Sequence, residues 1–247
     1  VGIAAAILAS FLFSVTSAAS GGIIAVCPAG PPTCDHPTIQ AGIDAAVTGD
    51  IVLVASGNYT EQLTLPSGVV LASIDGPDAT HLTSITGPAI QGSNVASVTV
   101  EGFSISTLDT TSPTVAVDLV DSQITISDCV ISNVRGANGV SDAIDGVTAI
   151  GIRFVGIGQL TVVHTTIRDL TGGDGLPQQV DGAIGGDALG IWVDATGSVV
   201  ISRTTISGLT GGGAGTVNMG YDCLGTGGGR SGSTRKVRPT WSLAIQV

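Results

Sequence analysis

Three residues of different chemistry recur at one position of a repeating pattern: Asp128, His164 and Arg203. If the repeats stack, a carboxylate, an imidazole and a guanidinium come together with backbones about 4.8 Å apart. That trio supplies what general acid–base chemistry on a sugar requires. The same column also reads as a corner ladder, in which polar groups satisfy one another and the turn backbone. Asp194 is the fourth catalytic candidate. Asp142, Asp145, Asp174, Asp181 and Asp187 lie in and around glycine-rich inserts that share one edge. Stacked carboxylates repel, and a hard cation such as calcium relieves that repulsion; solvated loops kept soluble by their acids are the alternative. Cys27 and Cys34 bracket a Pro- and Gly-containing segment and are spaced for a disulfide staple. Cys129 sits at an apolar repeat position and reads as a small buried hydrophobe. Tyr59 and Trp192 are aromatics that either stack on sugar rings or pack inside.

The repeat is what must position these groups. Four segments align without gaps: Val98–Ile105, Ile124–Ile131, Leu160–Ile167 and Val199–Ile206. Their first column reads Val98, Ile124, Leu160, Val199, and their third Val100, Ile126, Val162, Ile201. Their last column is isoleucine throughout, and Leu108, Val134, Leu170 and Leu209 follow three positions on. The alternation has period two, broken once by a step that carries Gly102, Asp128, His164 and Arg203. This predicts two short strands joined by a bend, both turning one row inward. The interval between successive first-column residues grows along the chain while the core pattern stays constant. That implies inserts of variable length at a fixed point, after Arg135, Thr171 and Thr210. Ala149–Ile152 and Ala188–Ile191 are separated as Leu160 and Val199 are, which makes them candidates for a third, returning strand. Three short strands per turn, stacked turn on turn, make an all-β solenoid of the parallel β-helix type.

Composition agrees with this and narrows the function classes. The 247 residues include 37 glycines, with 43% hydrophobic, 3% aromatic and 11% charged residues. So much aliphatic side chain excludes a disordered chain, and so much glycine with so little Lys and Glu argues against a helical one. The net charge is −11. All nineteen acidic residues precede Gly229 and four of the eight basic ones follow it, so residues 1–229 carry −15. A nucleic-acid partner needs the opposite sign. Residues 1–19 read as a secretory signal, truncated at its start, with Ile3–Val15 as the apolar run and Ser17-Ala18-Ala19 as the cleavage pattern. No membrane span is expected in the mature chain. Residues 20–50 are then an N-terminal cap with the disulfide loop and a helix, and residues 51–219 the coils. Residues 220–247 are expected to be a poorly ordered, truncated or frame-disrupted end, beyond which the natural protein continues with further coils.

The segments Thr38–Ala46, Gly49–Val54 and Gly57–Glu61 resemble the opening of pectin lyase-like right-handed β-helix proteins. That resemblance covers residues 35–210 and implies a right-handed, single-stranded parallel β-helix whose first coil is capped by a short amphipathic helix. Ile39, Ile43 and Ala46 fall on one helical face, as such a cap requires. The family also implies extracellular polysaccharide as substrate or ligand. Its catalytic signatures match poorly. The polygalacturonase strings are missing, and Gly57-x-Tyr59-x-Glu61 is similar to pectin methylesterases only in the cap. Ile191–Asp194 resembles a pectate lyase segment, but Ala195 stands where that family has histidine. Three functions follow: a secreted β-helix protein that contacts polysaccharide or a cell surface without an identifiable catalytic site, a polysaccharide lyase or glycoside hydrolase using Asp128, His164, Arg203 and Asp194, or a purely structural cell-surface spacer.

Overall fold

The computed structural model describes residues 21–108, 113–140, 145–176, 183–213 and 243–246. The chain winds into a right-handed parallel β-helix: the strand pairs among the described residues are all parallel, and each coil returns to the same three faces. The first face stacks β1 (Ile23–Val26), β2 (Ile51–Val54), β5 (Val70–Ser73), β8 (Val98–Glu101) and β11 (Gln123–Ser127). The second face stacks β3 (Gly57–Thr60), β6 (Thr80–Ser84), β9 (Ser104–Thr107), β12 (Val130–Arg135), β14 (Thr166–Thr171) and β16 (Thr205–Thr210). The third stacks β4 (Leu63–Thr64), β7 (Ile90–Ser93) and β10 (Thr114–Val120). Two long strands, β13 (Ala149–Val163) and β15 (Ala188–Ser202), run along the third face, bend, and continue on the first. A last strand, β17 (Leu243–Gln246), pairs with β15.

The register is the one read from the repeat. Ile124 pairs with Val98 and Leu160, Leu160 with Val199, and the isoleucines Ile105, Ile131, Ile167 and Ile206 form one row. Ala149 pairs with Ala188, so the third strand is where it is expected. The coils also start earlier than the four aligned segments. The N-terminal region read as cap contributes β1, and β2 and β5 build two more coils ahead of β8.

Leu108 departs from the expected row. It is 64% exposed, and Thr107, 1% exposed, takes the interior place opposite Val134. The cause is a single backbone position. β12, β14 and β16 each contain a left-handed residue, Asn133, Asp169 and Gly208 (φ 57°, 58° and 61°), that adds a bulge before the next inward side chain. β9 has no such residue, so its interior position comes one step sooner.

Helix α1 (Ile39–Ala45) closes the first coil, burying Ile39 and Ile43. Thr38 Oγ1 accepts the Ala41 N–H (3.3 Å), and the Glu61 carboxylate accepts the N–H groups of Ile39 and Gln40 (2.9 and 3.0 Å). These are donors that a helix start leaves unpaired.

The inserts between the second and third faces are themselves layered. Gly136 N donates to Thr171 O, Gly172 N to Thr210 O, Gly186 N to Gly173 O and Gly212 N to Gly186 O, at 2.8–2.9 Å. A Cβ at Gly173 would lie 1.7 Å from Ala137 O. Glycine is required there by backbone packed directly on backbone.

Candidate functional site

The bend between the first and second faces brings Asp128, His164 and Arg203 together in three consecutive coils. All three are left-handed (φ 51°, 48° and 48°), as is Gly102 one coil earlier (φ 78°). Arg203 Nη1 lies 3.1 Å from His164 Nε2. A guanidinium only donates, so Nε2 accepts and the neutral ring carries its proton on Nδ1. That nitrogen faces Asp128 Oδ1 at 3.9 Å, beyond hydrogen-bonding distance. The trio stands on an outer corner, with Asp128 and His164 about half exposed. The imidazole lone pair that a general base would use is already engaged by Arg203.

Asp194 is not part of this group. It lies on the third-face portion of β15, beside Val155, separated from Arg203 by the bend at 195–198 and the following strand. Val193 packs against the interior, so Trp192 and Asp194 face outward together.

Two of the insert aspartates serve the backbone. Asp145 Oδ1 accepts the Ile184 N–H (2.9 Å), and Asp174 Oδ1 accepts the Gly213 N–H (2.7 Å). Asn138 Oδ1 accepts the Asp174 N–H in the coil before (2.9 Å). Asp187 is exposed, and Asp142 and Asp181 lie outside the described residues. Among the described residues no three His, Cys, Asp or Glu side chains converge on a common point where a metal ion could sit. The carboxylate–backbone bonds give Asp145 and Asp174 a role that needs no cation. Cys27 and Cys34 are joined in a disulfide with Cα atoms 6.0 Å apart. Cys129 is buried, which pushes its thiol up to about 12 and leaves it unreactive. Tyr59 is buried, its hydroxyl donating to Ala55 O (2.9 Å), so it is packing and not a sugar platform.

A different column is better built. On the third face Gln91, Asp118, Arg153 and Trp192 occupy one register position in four consecutive coils. Arg153 grips Asp118 through two bonds, Nε to Oδ1 at 2.7 Å and Nη2 to Oδ2 at 2.5 Å. Their side chains are 28% and 17% exposed. The carboxylate's hydrogen bonds raise the guanidinium's pKa above its ordinary value. The guanidinium therefore keeps its charge, and the two bonds fix the geometry of the pair. The equivalence of Arg153 and Trp192 is visible in the sequence, because Ala149–Ile152 and Ala188–Ile191 align just ahead of them. Asp118 escapes it, because the insert between β12 and β13 hides the alignment of β10 with β13.

No family model matches the chain, and no curated protein matches it. Solved structures similar to it are a pectin methylesterase from carrot (12% identity, 74% of this chain and 73% of that one, TM-score 0.42) and pectin methylesterase PemA from Erwinia chrysanthemi (11%, 74% and 66%, TM-score 0.43). A third is a pectin methylesterase in complex with a hexasaccharide (11%, 76% and 82%, TM-score 0.41). At this level of identity the likeness assigns no activity to the chain.

Proposed function

We propose that this is a secreted β-helix protein that contacts an extracellular polysaccharide or glycan surface through its third face, binding the polymer without cleaving it. The observation that carries this reading is the column Gln91–Asp118–Arg153–Trp192. An amide, a fixed ion pair and a half-buried indole stand about 4.8 Å apart on a parallel sheet. An indole offers a broad apolar face to the C–H side of a sugar ring, while the polar groups offer donors and acceptors to its hydroxyls. The Cys27–Cys34 disulfide and the N-terminal apolar run support export to an oxidising compartment. Among the described residues no helix is long and apolar enough to cross a membrane.

The second reading is a polysaccharide lyase or glycoside hydrolase. The same column favours it: a guanidinium that orients a carboxylate is also what acid–base chemistry uses, and Asp194 faces the same surface. The corner trio does not strengthen it, since His164 Nε2 is engaged by Arg203 and the side chains of His164 and Asp128 are half exposed. Affinity electrophoresis of the protein through polysaccharide gels, with product analysis of the same polymers, separates the two. We expect retardation without new reducing ends or unsaturated products, and loss of retardation in Trp192→Ala. Product release abolished by Asp118→Asn would establish the enzyme instead.

A further inference from the structure

We infer that the polymer held on the third face is uncharged, and that polyuronates are excluded from it. The inference rests on the proposed polysaccharide contact and adds the chemical class of the ligand. A uronate chain presents a carboxylate on each ring, and a protein that holds it needs an available cation to pair with. The one guanidinium in the column, Arg153, has both its Nε and Nη2 donors committed to Asp118. The other described guanidinium groups lie elsewhere: Arg203 on the corner, and Arg135 and Arg168 on the second face.

The charge that does flank the column is negative. Asp194 projects two positions beyond Trp192 on the same face and is exposed. Asp145 and Asp187, also exposed, end the inserts that feed β13 and β15 onto this face. The chain as a whole is acidic, with a net charge of −11. At physiological salt charges interact over about 8 Å, so Asp194, two residues along the strand from Trp192, is within reach of a polymer lying on the column. A polyanion meets repulsion without a compensating pair. A neutral chain loses nothing, and keeps the indole and the fixed polar groups.

The test uses one polymer in two charge states: homogalacturonan fully methyl-esterified and fully de-esterified, alongside an uncharged β-glucan and an uncharged galactan. Binding is measured by affinity electrophoresis and by retention on the immobilised polymers at low and physiological salt. We expect retention by one or more uncharged polymers, with the de-esterified polymer bound at least about tenfold more weakly than the best of them. Asp194→Lys, which removes the negative charge nearest the column, should narrow that gap several-fold, read as the ratio of retention by the two charge states. Strongest retention by the de-esterified polymer, weakening as salt rises, would overturn the inference and leave the polysaccharide contact standing. If neither charge state of any polymer is retained, the contact itself is wrong and the inference falls with it.

Discussion

Asp118 and Arg153 are mostly withdrawn from water, and each is the other's principal partner. Removing the acid leaves a guanidinium that cannot lose its proton, held where solvent reaches it poorly. Asp118→Asn should therefore cost about 1–2 kcal/mol, read as a lower urea midpoint with an unchanged slope. The neighbouring residues Arg168 and Asp169 also pair, but both are half exposed. Breaking that pair should cost less than about 0.5 kcal/mol, so equal losses for the two would remove the distinction drawn between them. The corner trio is different again. A left-handed conformation costs a side-chain-bearing residue about 1–2 kcal/mol, and Gly102 already occupies the equivalent place one coil earlier. Arg203→Gly should change stability by less than about 1 kcal/mol, because relieved strain offsets the lost contact with His164, and it should leave polymer retention intact. Abolished retention would move the binding site to the corner. The corner column is legible in the sequence because it lies inside the ungapped repeat. The Asp118–Arg153 pair is not, because its two residues sit on either side of an insert of variable length.

At the scale of elements, the N-terminal cap and the glycine layers each hang on specific bonds. Asp50 accepts the N–H groups of Gly22 and Val47 (2.6 and 2.8 Å), which tie β1 and the end of the cap to the first coil. Those bonds, Val47's first, hold its carboxyl below the usual range. A depressed carboxylate contributes stability that is complete above its unfolded pKa, near 4, and is lost as pH falls through the lower folded value. Protection factors of the β1 amides, exchange corrected for its intrinsic pH dependence, should fall on acidification below about pH 4, and Asp50→Asn should show the lower protection already at neutral pH. A pH-independent β1 would show that Asp50 does not hold it. In the inserts, a Cβ on Gly173 has no room beside the Ala137 carbonyl, whereas one on Gly76 meets nothing within 4 Å. Gly173→Ala must push two backbones apart and should cost about 1–3 kcal/mol or more. Gly76→Ala carries only the strain of its positive φ, about 1 kcal/mol. The inserts are recognisable as loops from their glycines. Their layering is not, since hydrogen bonds between irregular backbones leave no periodic side-chain pattern. Leu108 escapes the pattern for a related reason: a one-residue bulge is set by a backbone conformation, and Asn133, Asp169 and Gly208 have no common side chain to announce it.

For the whole molecule, the solenoid makes stability a matter of neighbouring coils, because each coil rests on the one before and the one after. The interior row of isoleucines samples this directly. Ile105, Ile131 and Ile167 are fully buried, whereas Ile206 is 37% exposed. Ile131 is packed between coils on both sides, so Ile131→Ala should cost about 2–5 kcal/mol. Ile206→Ala, already open to water, should cost less than about 1.5 kcal/mol. The same gradient should govern local opening. Amides of β14 should be protected close to the global unfolding limit, and those of β16 should exchange faster at the same pH and temperature. In a one-dimensional stack the Ile131 cavity should also speed exchange in β9 and β14, its two neighbours, before it reaches β3. Uniform acceleration across all six strands of that face would mean the coils unfold as a single cooperative unit. The nearest-neighbour description would then not hold for this chain.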